Sequence, residues 1–197
     1  DTAGRVVFVP FAAPGDRLRV RVVEEHERFA RAEIEAIAAP GAARVDPPCA
    51  VFGDCGGCAW QHVAYPAQLD AKRAILADAL ARIGGIEAGA IEMVASPQPY
   101  AYRSRARLLA QGGRVGFRRR RSHEPCPIAR CPLLVPPLDA ALGALAARTD
   151  LADGEWELAL GSDGAARTAS LATPQDTAPI ALKVLGERVE ISPGGFA

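Results

Sequence analysis

The chain is predicted to be mainly β, of α+β class: a small N-terminal barrel, a cysteine-rich loop, then a small α/β central domain of antiparallel strands. Three observations carry this. Through the first forty residues apolar and charged side chains alternate with a period of two, and turn residues recur at short intervals. Residues 40–60 then lose all periodicity and gather Pro, Gly and three of the five cysteines. Beyond residue 63, helical stripes and strand-like runs are interleaved.

Strands are predicted at Arg5 to Pro10, Arg17 to Val23 and Phe29 to Ala38. Leu18, Val20 and Val22 oppose Arg17, Arg19 and Arg21; Ala30, Ala32, Ile34 and Ala36 oppose Arg31, Glu33 and Glu35. Pro14-Gly15-Asp16 makes the turn between the first two. Short alternating strands close most readily into an antiparallel barrel of OB type, because closure removes exposed edges. This barrel is assigned to residues 1–40 and the irregular loop to 41–62. A helix follows from Pro66 to Ile83, with Leu69, Leu76, Leu80 and Ile83 on one stripe, Pro at its start and Gly84-Gly85 at its stop. Strands are predicted at 91–95, 102–110 and 114–119, then a helix over Pro137 to Arg148. The last strands fall at 156–160, 166–171, 180–184 and 189–192, which completes a central domain over 63–192.

The formal charge is zero, from 23 basic and 23 acidic residues, but its distribution is uneven. From Ala101 to Arg121 there are eight arginines and no Asp or Glu. For a polyanionic partner such a local patch matters more than the sum. In the strand at 102–108, a period of two places Arg103, Arg105 and Arg107 on one face. Phe117, Arg118 and Arg119 add an aromatic ring and more charge, a mixture suited to stacking and phosphate contact with single-stranded RNA. The competing reading is a solvated face paired with acids from elsewhere in the fold. No run approaches the roughly 18 apolar residues of a membrane span, and no leader pattern opens the chain. The first residues lack Met and read as a cut edge. A cytoplasmic, monomeric protein is expected.

Cys49-x5-Cys55-x2-Cys58 sits among glycines, with Cys126 and Cys131 about seventy positions on. Three close thiols and one distant one suit a metal, since thiolates must converge from a backbone free to wrap the centre. Five is an odd count for disulfides, and a reducing compartment disfavours them. Structural zinc usually takes two paired knuckles; the split of three and one favours a [4Fe–4S] cluster. Either Cys126 or Cys131 supplies the fourth thiolate on spacing alone. His62 and Trp60, beside the helix start, read as packing residues.

The run Cys49 to His62, continuing through Tyr65, Gln68-Leu69 and Lys72, resembles the cluster motif of the RumA-type 23S rRNA uracil-5-methyltransferases. Upstream, Val7-Phe8-Val9-Pro10 and Pro14-Gly15-Asp16 resemble that family's TRAM barrel. Downstream, Tyr102 to Arg107, Gly116-Phe117-Arg118 and Cys131-Pro132-Leu133 resemble its central domain. The resemblance implies that Cys49, Cys55, Cys58 and Cys131 ligate the cluster, that RNA is the partner, and that S-adenosyl-L-methionine is the methyl donor. Cys126, which also precedes a proline, departs from the motif.

Methylation at C5 of uracil needs a thiolate to add at C6, a methyl donor and a base. No such set is visible here, nor a glycine-rich turn of cofactor-binding type. Residues 193–197 resemble the entry into the family's methyltransferase domain, so the expectation is an inactive part of an RNA-modifying enzyme that serves rRNA processing. The alternative is a non-enzymatic iron–sulfur or zinc RNA-binding module.

Overall fold

The computed structural model describes residues 4–171 and 179–191; the expected domain entry at 193–197 lies outside them. Among the described residues the fold is mainly β with two helices, as predicted. Contacts divide it into two units. The first comprises the described residues up to Pro47 together with Ala59–Ser96, and the second Pro48–Cys58 together with the described residues from Pro97 onward. Residues 63–96, grouped with the central domain on sequence grounds, thus belong with the first unit.

In the first unit, β1 (Val6–Phe8), β2 (Arg17–Glu25) and β3 (Phe29–Ala39) form a sheet of order β1-β3-β2. β2 and β3 pair antiparallel with several register shifts, whereas β1 runs parallel to β3. The predicted sheet was wholly antiparallel; among the described residues it is mixed and open, so the pairing gives no closed barrel. The alternation holds where it counts: Ala30 and Ala32 are buried while Arg31 and Glu33 are exposed.

The turn at Pro14-Gly15-Asp16 is fastened by one carboxylate. Asp16 Oδ1 accepts hydrogen bonds from the Gly41 N–H (2.9 Å) and Arg44 Nε (3.0 Å). Its Oδ2 accepts from the Ala13 N–H (2.7 Å) and Arg44 Nη2 (2.6 Å). Arg44 also donates to the Phe11 carbonyl. The Asp16 side chain is only 1% exposed, and the Arg44 guanidinium holds its carboxyl well below the usual carboxylate range. Gly41 is required beside it, since a Cβ there would stand 2.2 Å from the Pro14 carbonyl oxygen.

Helix α1 (Tyr65–Arg82) carries Pro66 in its first turn and stops just before Gly84-Gly85, within a residue of the predicted bounds, with the Ile86 N–H closing on the Leu80 carbonyl. Its stripe behaves differently from expectation. No residue of α1 is buried; Leu76 is 46% and Ile83 86% exposed. The strand expected at 91–95 does not form: this segment has no ladder partner, and Val94 is 87% exposed.

The second unit is built on a five-stranded antiparallel sheet of order β6-β5-β4-β7-β8. Its strands are β4 (Arg105–Gln111), β5 (Arg114–Arg118), β6 (Pro125–Pro127), β7 (Gly154–Leu160) and β8 (Ala166–Ser170). Strand β6 was not foreseen. Helix α2 (Pro136–Ala146) buries Leu138, Leu142 and Leu145 against the sheet. With Leu108, Phe117, Trp156 and Leu158 these form the core. β9 (Ile180–Val184) and β10 (Glu187–Ile191) make a separate hairpin.

Two outcomes test this description. Leu142→Ala, at a fully buried position, should cost about 2–5 kcal/mol, while Leu76→Ala on the open face of α1 should cost less than about 1 kcal/mol; urea unfolding followed by circular dichroism compares them. Asp16→Ala should cost about 3 kcal/mol, because it leaves Arg44 buried and unpaired. A carboxyl depressed in the folded state binds its proton first in the unfolded chain. The stability it contributes is therefore present above its ordinary 3.8 and is lost as pH falls below it. Asp16→Asn should flatten this acid limb, and an unchanged limb would refute the assignment.

Candidate cluster site and nucleic-acid interface

The loop Pro48–Cys58 folds through turns alone: the Phe52 N–H donates to the Cys49 carbonyl, and the Asp54 and Cys55 N–H groups to the Val51 carbonyl. It is held against the β5–β6 hairpin by main-chain contacts. The Gly56 N–H donates to the Arg118 carbonyl (2.9 Å), the Arg120 N–H donates to the Asp54 carbonyl (2.8 Å), and Cys55 bridges Arg119 antiparallel. Asp54 also forms an ion pair with Arg119.

All five cysteines are free thiols in this second unit. Cys55 and Cys131 are buried, Cys49 and Cys58 half-buried. Burial pushes the Cys55 thiol up, the Gly57 N–H that donates to its Sγ (3.4 Å) pulls it down, and the charges of Cys58, Cys49 and Cys131 each raise it further. Four thiols thus act on one neighbourhood. Cys131 lies in the turn before α2, where its N–H donates to Asp139 Oδ1 (2.6 Å). Burial raises its thiol, the N–H groups of Leu133 and Leu134 lower it, Cys58 raises it and Arg103 lowers it. Two of the four sulfurs therefore receive backbone amides, the environment in which protein amides stabilise metal-bound thiolate.

Cys126 differs. It is 1% exposed in the middle of β6, its Sγ–H directed at Asp54 Oδ2 (3.6 Å). Burial, then Asp54 and Cys55, push its thiol up to about 11. Among the described residues no three His, Cys, Asp or Glu side chains are arranged to hold a single metal ion.

The basic residues divide into two groups. β4 begins at Arg105, so Arg103 precedes the strand; its backbone pairs with Leu133–Val135, and its charge acts on Cys131. Arg105 pairs with buried Glu157 (2.8 Å), and Glu155 takes Arg107 (3.6 Å) and Arg118 (2.9 Å). The absence of acids within residues 101–121 therefore does not leave the stripe unpaired, because β7 lies beside β4 and supplies both glutamates. Phe117 is only 8% exposed and belongs to the core, so little of its ring is open to stack a base.

What does open beside the cysteine loop is a basin of about 580 Å³. Gly56 and Gly57 form one wall; Arg107 and arginines 118–121 form much of the rest. Of these, Arg107 and Arg118 meet Glu155, and Arg119 meets Asp54 and nearby Glu124. His62 packs in the first unit, with its ring Nε2 3.2 Å from the Ala12 carbonyl and its ring edge-on to Phe11. Asp54, Glu155, Glu157 and Asp139 were not singled out from sequence; only Asp54, inside the cysteine motif, was marked by its position.

Comparison with known proteins agrees with these features. Residues 1–34 match the TRAM domain model. A 23S rRNA (uracil(1939)-C(5))-methyltransferase RlmD of Halomonas elongata is 39% identical over 84% of this chain and 36% of its own length. An uncharacterized RNA methyltransferase of Thermosynechococcus vestitus is 40% identical over 72% of this chain and 32% of its own. The chain thus spans about a third of the length of these relatives. Among solved structures, the Pyrococcus abyssi tRNA (uracil-54, C5)-methyltransferase, in complex with S-adenosyl-L-homocysteine, superposes with a TM-score of 0.61. At 24% identity, over 83% of this chain and 40% of that one, it shares the fold. The chain belongs to the RlmD/RumA-type family of 23S rRNA uracil-5-methyltransferases.

Proposed function

We propose that this chain is the RNA-recognising, cluster-bearing part of a SAM-dependent rRNA uracil-5-methyltransferase. The observation that carries the proposal is the grouping of four thiols, two of them supported by amides, beside a basin rich in arginine. Cys49, Cys55, Cys58 and Cys131 would hold a [4Fe–4S] cluster, an electron-accepting and loop-ordering group. The donor set fits it: thiols only, Gly57 free to approach Cys55, and no carboxylate among the four. Structural zinc usually takes two paired knuckles, whereas three close thiols and one distant one favour the cluster.

RNA is the proposed partner of the TRAM unit and the basin, with Arg105, Arg107, Arg118 and Arg119 positioned by their glutamate and aspartate partners. Arg103 serves Cys131, and Phe117 supports the basin floor. Methyl transfer needs an accessible thiolate, and Cys126 is sealed in the core with its thiol raised to about 11. S-adenosyl-L-methionine and the nucleophile are accordingly assigned to the part of the family fold outside this chain, and the chain alone to no methyl transfer. No helix is long and apolar enough to cross a membrane among the described residues; a cytoplasmic monomer is proposed.

Anaerobic reconstitution with ferrous iron and sulfide tests the cysteine assignment. The parent and Cys126→Ser should turn brown and hold roughly four irons per chain, and Cys131→Ser should lose both colour and iron. Iron retained by Cys131→Ser and lost by Cys126→Ser would exchange the fourth ligand. A colourless parent that holds one zinc would favour the zinc module instead.

A further inference from the structure

We propose that Asp139, outside the cysteine motif, is a positioning residue for the cluster: its carboxylate holds the Cys131 amide and so seats the fourth ligand on the start of α2. This rests on the reading above that Cys49, Cys55, Cys58 and Cys131 hold a [4Fe–4S] cluster.

The two sides of Cys131 are held differently. Downstream, the main chain is fastened to itself and to the segment before β4. The Leu134 N–H donates back to the Cys131 carbonyl (3.1 Å), the Ala101 N–H to the Pro132 carbonyl (2.9 Å) and the Arg103 N–H to the Leu133 carbonyl (2.8 Å). Upstream, the Ile128 N–H donates to the Val115 carbonyl (3.3 Å), and the chain then runs through Ala129 and Arg130, whose side chain is 86% exposed. On that side the tie at Cys131 itself is its N–H to Asp139 Oδ1, at 2.6 Å. With the peptide groups before and after an α-carbon both fixed, its two soft dihedrals are set, and with them the direction of its side chain.

Asp139 can fix Cys131 because it is itself fixed. It stands in the first turn of α2 directly after Leu138, which is fully buried, and its own side chain is 17% exposed. A negative charge there also suits the positive end of the helix. Its other oxygen, Oδ2, accepts from Arg130 Nε at 3.1 Å. The two interactions are separable: the Arg130 pair is open to solvent and weak, whereas Cys131 is only 6% exposed. Without the carboxylate, a buried N–H is left unpaired. The turn must rotate to find it a partner, and the sulfur rotates with it. Groups that orient a metal ligand in this way cost roughly 10- to 100-fold in metal affinity when they are removed.

The test uses the whole 197-residue chain, reconstituted anaerobically with iron and sulfide. Two readings are taken: the rate at which a ferrous chelator extracts iron, and the electron-spin resonance signal of a three-iron cluster after brief treatment with ferricyanide. Forming that cluster releases the least firmly held iron as a ferrous ion and passes one electron to ferricyanide. Asp139→Ala should lose iron about tenfold faster than the parent and give a stronger three-iron signal. Asp139→Asn, whose amide oxygen still accepts the Cys131 N–H, should stay within about twofold of the parent, and so should Arg130→Ala, which removes only the ion pair. Circular dichroism checks that each chain is folded. If Asp139→Ala is not, Asp139→Leu, close to Asp in size and without an acceptor, decides; failure of both to fold makes Asp139 a general structural residue and overturns the proposal. Parental extraction in the folded Ala or Leu variant, faster extraction without the three-iron signal, or losses in Asp139→Asn or Arg130→Ala equal to those of Asp139→Ala overturn it as well, while the cysteine assignment stands. A parent that takes up no iron, or a Cys131→Ser variant that keeps its iron, overturns that assignment and the proposal with it.

Discussion

The second unit depends on how closely residues 54–57 approach the β5–β6 hairpin. Gly56 lies where its amide reaches the Arg118 carbonyl and where any Cβ would crowd two carbonyl oxygens. From this contact the rest follows in order. Cys55 is carried to the bridge with Arg119, Asp54 reaches both Arg119 and Cys126, and Gly57 turns its N–H back to the Cys55 sulfur. A loop with no core of its own thereby acquires a fixed thiol and a fixed carboxylate. At the other end, Asp139 does the same for Cys131 by accepting its N–H from the first turn of α2. The thiols are placed by main-chain hydrogen bonds from two elements far apart in sequence.

The charge distribution shows how a local pattern and a tertiary one part company. Alternation correctly put Arg105 and Arg107 on one face of β4, because a period of two is a property of the strand itself. That Glu155 and Glu157 arrive on the neighbouring β7 depends on sheet order, and nothing in residues 101–121 encodes it. The pairing changes what the arginines are for. A guanidinium bound to a buried carboxylate such as Glu157 is fixed in place, having given up part of its field in exchange for position. Those of the basin line an opening to solvent.

Other elements were legible to different depths for the same reason. The helix at 65–82 was visible in its proline start, glycine stop and apolar stripe, yet the stripe predicts only which face would be buried, and no residue of α1 is buried. For α2 the same kind of stripe meets a sheet, and Leu138 and Leu142 are fully covered. The turn Pro14-Gly15-Asp16 was legible, whereas Arg44 as its partner was not, since the two are joined through a loop whose course only Gly41's close approach permits. The parallel course of β1 beside β3 was likewise hidden, because alternation specifies a face and leaves direction open.

Spacing marked the cysteines as candidate ligands, and the structure gives Cys126 and Cys131 different surroundings. Spacing alone allowed Cys126 or Cys131 as the distant partner of the loop thiols. Their surroundings separate the two. Burial raises the Cys131 thiol, and two amide donors and a nearby guanidinium work against that rise. Burial raises the Cys126 thiol as well, and there a carboxylate adds to the rise. A metal ligand must give up its proton, and a nucleophile toward uracil must give it up and also be reached. Cys126 meets neither demand, so its place opposite Phe117 in the β5–β6 ladder is that of a small apolar side chain that fills the core under Asp54. On the proposed reading the thiols supported by amides are those that take the metal, and Cys126 is neither their partner nor the thiol that attacks a base.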